Sequence, residues 1–504
     1  MLIKIDTDKM QTVVNNLNDR ADDIDAARRD INSSSFLNHD PVPEVSEATE
    51  LSTFASTSYS QNSLTNLHAC AQAVSNLAAE LAARRQEAID ISSSGGSFDG
   101  GVLGYYLPDP PEDTLDTDMY WQSMDTVANV KAYNSGAITQ AKKDAQAAQQ
   151  GSGQELLDLA GGQVFRNQDN PFYATAFADA LGPQGMAMFA YNIRQAWETW
   201  KGPDTQTKLE PTDEQWEQQE RLYLRGQSAA SVLLGTATTS GLWSKAHLQQ
   251  YAQGLARLAV DEDAPAYGSY ALNLLLSGVD HSVTNSVKTG GTHIRSGGVF
   301  DETFLRAVEF NVWRDEQTGA PQWRERALQS LPSHHEAFYG DFDPYTGILT
   351  AMGRNPQASM LDESKYKWLA SRDWDRVSLE GLTAFVAGAS ALRVPSSRSL
   401  DEHAAQLTEL AAVSLAGSGQ HAVKDPQWDS ISRRNLSVLL ANSIADIDAN
   451  SRDAVDDGGN AFTDNFGAHW RSLHEAEVRK LLQEAGKDDL ALATLGAAVG
   501  DFSR

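Results

Sequence analysis

The sequence predicts an all-α protein: an N-terminal antiparallel helical hairpin, a linker, and a multi-helix α-helical body. Three observations carry this. Alanine-rich runs outnumber β-branched clusters, apolar residues recur at three- and four-residue spacing, and the period-2 alternation of half-buried strands is scarce. A chain of 504 residues, 41% hydrophobic and 8% aromatic, has material for more than one core. We place the hairpin at 1–95, the linker at 96–125, the main body at 126–395 and a C-terminal helical region at 396–504.

The hairpin rests on two seams. Met10, Val14, Leu17, Ala21, Ile24 and Ile31 repeat at alternating four- and three-residue steps, interrupted by Arg28. Asp6 or Asp8 caps the start of that helix. After the turn-rich "NSSSFLNHDPVP", a second seam runs through Leu64, Leu67, Ala71, Val74, Ala78 and Leu81. Two seams of similar length across one turn make an antiparallel pair. The stretch from Ser92, "SSSGGSFDGGVLGYYLPDPPEDTLDTD", is rich in glycine, proline and acid, and reads as a linker with partial extended character.

Beyond it, amphipathic stretches follow one another: Gln215–Leu234, Trp243–Val260, "SYALNLLLSG", "FDETFLRAVEFNVWRDE", "QLTELAAVSLAG", "RRNLSVLLANSIADIDA" and "LHEAEVRKLLQEAG". Short Gly, Pro or Asn breaks separate them, and no fixed-period repeat forces a solenoid.

The formal charge is −28, from 68 acids against 40 bases, which argues against a nucleic-acid surface because phosphate binding needs a basic face. The single cysteine, Cys70, cannot form an internal disulfide, and its apolar helical neighbours predict a small core residue. The N-terminus lacks the apolar run of a Sec signal, and no stretch reaches the roughly 20 apolar residues of a membrane span. Synthesis in the cytoplasm follows, with any export by a signal-peptide-independent route.

The densest signature is "DPYTGILTAMGRNPQASMLDESKYKWLASRDWD", Asp343–Asp375. Asp343-Pro344 can start a helix, Gly353 can end it in a left-handed cap, and Asn355-Pro356 can restart the next. Leu349, Met352, Met360 and Leu361 fall at helical spacing, with Trp368 and Trp374 packing across the joint and Arg372 and Asp373 capping or pairing. The stretch reads as a structural corner.

Together with "DNPFYATAFADALGPQGMAMF" (Asp169–Phe189), "VLLGTATTSGLWSKAHL" (Val232–Leu248) and "FDETFLRAVEFNVW" (Phe300–Trp313), this signature resembles an uncharacterised actinobacterial domain-of-unknown-function family. The resemblance covers residues 126–395 best. Its members look like type VII (ESX) secretion associates with an N-terminal hairpin similar to the small WXG secreted proteins, and some resemble polymorphic toxins. The resemblance therefore implies two partners, a small WXG-type helical protein or the export machinery. The turn at Asn32–Pro43 lacks the Trp-x-Gly of the WXG proteins, and the chain stops where a longer relative would continue.

No catalytic constellation stands out. His334, His335 and Glu336 lie beside Asp341 and Asp343, but adjacent histidines point to different helix faces. His469 and His474 are also off one face. "DIDANSRDAVDD" (Asp446–Asp457) partly mimics a calcium loop, with Ser451 where glycine is wanted. There is no Gly-x-Ser-x-Gly elbow and no phosphate loop. A Tyr-x-x-x-Asp/Glu export pattern fits Tyr105–Asp109 and Tyr339–Asp343, yet 14 tyrosines and 68 acids predict about two such matches by chance. Tyr105 and Asp109 follow the hairpin, but Pro108 and Pro110 make their setting non-helical.

The reading is a non-enzymatic helical protein of a type VII locus, exported or carrying cargo, with no metal and no cofactor. Its hairpin would meet a partner through Met10, Val14, Leu17, Ile24, Ile31, Leu64, Leu67, Val74 and Leu81. The alternatives are a toxin or hydrolase with its catalytic part in 396–504 or a missing extension, and an intracellular scaffold.

Overall fold

The structure is a computed structural model. It describes residues 2–33, 46–92, 102–106, 116–124, 126–201, 212–261, 263–265, 267–278, 297–318, 323, 339–393, 398–451, 470, 473 and 475–502. The described chain is helical apart from one two-stranded ribbon. It divides into two compact units, Met1–Gly136 and Ala137–Arg504.

The first unit opens with strand β1 (Leu2–Asp6), followed by α1 (Thr7–Ser33) and α2 (Ser46–Ser92). Asp6 accepts from the Lys9 backbone N–H at 2.9 Å and so starts α1. Strand β2 (Val102–Tyr106) then returns to pair antiparallel with β1, Ile3 opposite Tyr105. The stretch assigned to a linker thus contributes a strand and, after it, helix α3 (Thr117–Met124). Helix α4 (Val127–Gln150) crosses the boundary between the units.

The second unit continues with α5 (Gly153–Asp158), a π-helical turn (Leu159–Val164) and the short α6 (Phe165–Asn167). Then come α7 (Pro171–Lys201), α8 (Asp213–Thr239), α9 (Lys245–Val260), α10 (Gly268–Ser277) and α11 (Glu302–Thr318). Helix α7 is kinked at Gly182, whose φ of 67° is followed by Pro183. The remaining helices are α12 (Tyr339–Phe342), α13 (Pro344–Gly353), α14 (Glu363–Ala370), α15 (Arg376–Ser390) and α16 (Arg398–Leu415). Last are α17 (Ser430–Asn442), α18 (Ile444–Ser451), α19 (Glu475–Ala485) and α20 (Asp489–Phe502).

One continuous core runs through this unit, from Tyr173, Phe177, Trp197 and Tyr223 to Phe385, Leu440 and Leu481. Helices α16 and α17 both pack on α15, so the stretch after residue 395 shares the core of the helices before it. Side-chain caps fix the starts: Thr212 with Gln215 on α8, Asp375 with Ser378 on α15, and Asp429 with Ser432 on α17 form reciprocal capping boxes.

Cys70 is corrected by the structure. It is exposed rather than in the core, because the buried seam positions of α2 are the small residues Ala71, Ala78 and Ala88.

Candidate functional site

Two regions are candidates, the surface of the first two helices and the Asp343–Asp375 corner. In the first unit, Arg85 near the end of α2 donates to the Thr7 carbonyl at the start of α1, 2.9 Å away. His68 approaches Asp25 at 3.8 Å. Helices α1 and α2 pack against each other. Val14 and Ala21 on α1 and Ala71 and Ala78 on α2 are buried. Met10, Leu17, Ile24, Leu64, Leu67, Val74 and Leu81 are only half-buried. Val13 and Leu77 are 48% and 47% exposed. Ile31 lies on α1, and its side chain is outside the described residues, as are Asp109 and the turn after Ser33. Tyr105 sits in β2, a strand rather than the helix an export signal usually occupies.

The corner is built around Arg372. Its Nη2 donates to both carboxylate oxygens of Asp343 at 2.8 Å, and its Nη1 pairs with Glu316 on α11. Glu316 in turn accepts from Trp323 Nε1 at 2.9 Å. The guanidinium lies 4.6 Å from the Tyr345 ring centroid and 5.1 Å from that of Trp368, with Trp374 and Trp323 at 6.0 Å. Burial raises the Glu316 carboxyl above its usual range, against the pull of Arg372. The Arg372 pKa rises, because Asp343 and Glu316 outweigh the opposing effect of burial.

Asp343 also caps α13 through the Tyr345 N–H at 3.0 Å, with Pro344 in the first turn, as the sequence predicts. Asn273 on α10 donates to the carbonyls of Asp341 and Asp343, both at 2.8 Å, and accepts from the Gly347 N–H at 2.9 Å. One carboxamide therefore joins α10 to the end of α12 and the start of α13. Arg354 serves the other end of α10, donating to the carbonyls of Leu276 at 3.2 Å and Ser277 at 2.6 Å. Burial lowers its pKa to about 10.

Two expectations for the corner are overturned. Gly353 does not end α13 in a left-handed cap; the C-cap is Arg354, with φ −85° and right-handed geometry. A Cβ on Gly353 would stand 2.4 Å from the Ala384 carbonyl oxygen, so glycine is there to let α13 and α15 touch. Nor does Pro356 restart a helix. Residues 354–359 form turns, and α14 begins after Asp362, whose side chain accepts from the Lys365 N–H at 2.9 Å. Leu349, Met352, Met360, Leu361 and Trp374 are buried.

Of the remaining polar motifs, His334, His335, Glu336, His469 and His474 lie outside the described residues. Asp446, the first position of the calcium-like stretch, is buried on α18 and pairs with Arg393. No group of three His, Cys, Asp or Glu side chains placed to hold a metal occurs among the described residues. Sequence reasoning missed Asn273, Glu316 and Glu309, because their partners Asp341, Arg372 and Lys365 lie 68, 56 and 56 residues away. Glu309, pushed up by burial, pairs with Lys365 at 2.7 Å.

These features define a helical protein whose most heavily connected polar residues hold helices together. The chain belongs to DUF6571, a family of unknown function whose model matches residues 1–504, including both flanks of the body. Comparison with curated proteins and with solved structures finds no match. No described helix is long and apolar enough to cross a membrane.

Proposed function

We propose that the protein is a non-enzymatic helical component of a type VII (ESX) secretion system, an exported substrate or carrier. Its N-terminal helices form a hairpin that pairs with a small WXG-type helical protein or docks the export machinery. The observation carrying this reading is the unfilled seam. Helices α1 and α2 bury mainly alanine against each other, while Leu17, Ile24, Leu64, Leu67 and Leu81 stay half-exposed beside Val13 and Leu77. A second helical pair would cover these side chains as a four-helix bundle, at about 1 kcal/mol for each half-buried Leu or Ile. The type VII assignment itself is supported by the resemblance in the body. The corner around Arg372 gives that body rigidity rather than chemistry.

The test is the mass of the native particle purified from its own organism, by light scattering, for the wild type and for Leu77→Asp. The proposal expects a mass above the 54.7 kDa of the chain by a small partner, lost in the variant. Leu77 is 47% exposed, and circular dichroism checks that the variant keeps its helices. A wild-type particle of 54.7 kDa with no second chain would contradict it.

A further inference from the structure

Helices α9 and α11 pack along each other and leave a groove of about 820 Å³ between them on the outer side. This is within the usual size of ligand sites, roughly 300–1,000 Å³. Gln249, Gln250 and Gln253 share one face of α9 at three- and four-residue spacing and all line the groove. All three are exposed, and neither their carboxamides nor the Thr303 hydroxyl on the opposite wall bonds to another described residue, so these groups face solvent and are open to a ligand.

Beside these amides Phe310 presents its ring, 45% exposed, to the same groove. Lys365 holds that ring in place, its Nζ 5.4 Å from the Phe310 centroid and 4.9 Å from that of Trp313. The charge in the groove is nearly cancelled. Glu302 and Arg306 pair with each other at 2.9 Å, leaving Lys245 at one end. In a chain of net charge −28, this groove favours neither a cation nor a polyphosphate, which would need several bases.

The geometry points to a binding site for a neutral oligosaccharide. Each carboxamide offers donors and an acceptor, which matches hydroxyls that both donate and accept. The 45% of Phe310 left exposed, with Lys365 and Arg314 over its ring at 5.4 and 5.9 Å, gives an apolar surface for the C–H side of a sugar. All the lining residues belong to the second unit, and the inference does not rest on the proposed role of the hairpin.

The experiment is calorimetry of the full chain against a panel of neutral di- to tetrasaccharides of gluco, galacto, manno and N-acetylglucosamine type. Intrinsic tryptophan fluorescence, compared between the wild type and Trp313→Phe, gives a second readout. We expect saturable binding of at least one series, weakened about tenfold or more by Phe310→Ala and several-fold by Gln253→Leu, with Leu492→Ala without effect. All three positions are exposed, and circular dichroism checks that the variants fold. The inference is overturned if no member binds saturably at millimolar concentration, or if binding survives Phe310→Ala unchanged. It is equally overturned if an extended uncharged peptide, run in parallel, saturates the groove where no sugar does.

Discussion

Arg372 Nη2 stands 2.8 Å from each carboxylate oxygen of Asp343, so one planar group ties the start of α13 to the turn after α14. Glu316 completes the contact from α11. Both carboxylate side chains and the guanidinium are less than a tenth exposed. Removing one member therefore strands the others without water.

Arg372→Met should cost about 3–5 kcal/mol of stability, the range for breaking a buried pair from one side. Arg372→Lys should also destabilise, because an ammonium cannot donate in the same fork to Asp343 while reaching Glu316. Urea denaturation measures both. A lysine variant as stable as the wild type would show that charge alone, not the fork, holds the corner.

Glycine substitutions should separate packing from propensity. Gly388→Ala puts a Cβ 2.4 Å from the Gly353 carbonyl oxygen, so α13 and α15 must move apart, at about 1–3 kcal/mol. Gly136 on α4 faces open space, and Gly136→Ala should stabilise by about 0.5–1 kcal/mol. Thermal melts of the two variants should therefore shift in opposite directions.

Two carboxyls give pH effects of opposite sign. At Asp429, burial pushes the pKa up, but a hydrogen bond shared with the Glu380 carboxyl, those donated by Ser432 and the charge of Arg376 bring it below 3.8. Its stabilisation is complete above pH 3.8 and is lost as pH falls through the folded value. Glu316, raised above 4.5 by burial, does the reverse: stability is gained as pH falls through its folded value towards 4.5. Asp429→Asn keeps a capping side chain, so its deficit against the wild type should shrink below pH 3.8. Glu316→Gln should flatten the curve just above pH 4.5. Denaturation midpoints taken across pH 3–7 give both slopes.

Cys70 supplies a probe of the helical surface. It is exposed on α2, two turns before the exposed Leu77. The native chain should react with a thiol reagent at one site without denaturant, and a partner seated on the seam should slow that reaction. Equal labelling in the free chain and the complex would place the partner elsewhere.

Helices were legible because their evidence is local. The Met10–Leu81 spacing, the Asp343-Pro344 start and the amphipathic runs each sit within a turn or two of the residues that define them. What was missed depends on distant chain. Strand β1 is recognisable only with β2, about a hundred residues on. Gly353 carries a turn signal in the sequence, but its role is set by Ala384 on another helix. Cys70 looked like core because its neighbours are apolar, yet alanines already fill the contact between α1 and α2. At the corner, Arg372 and Trp374 were visible, while Glu316 and Asn273 were not, since nothing in sequence links them to it.

The most direct test of the account is quantitative detection of the protein in culture supernatant, with a cytoplasmic marker as a lysis control. The organism of origin is compared with a strain lacking its type VII motor ATPase. The account predicts extracellular protein that disappears in the mutant and is reduced by Leu77→Asp. Protein retained inside both strains, or released equally by both, would contradict it.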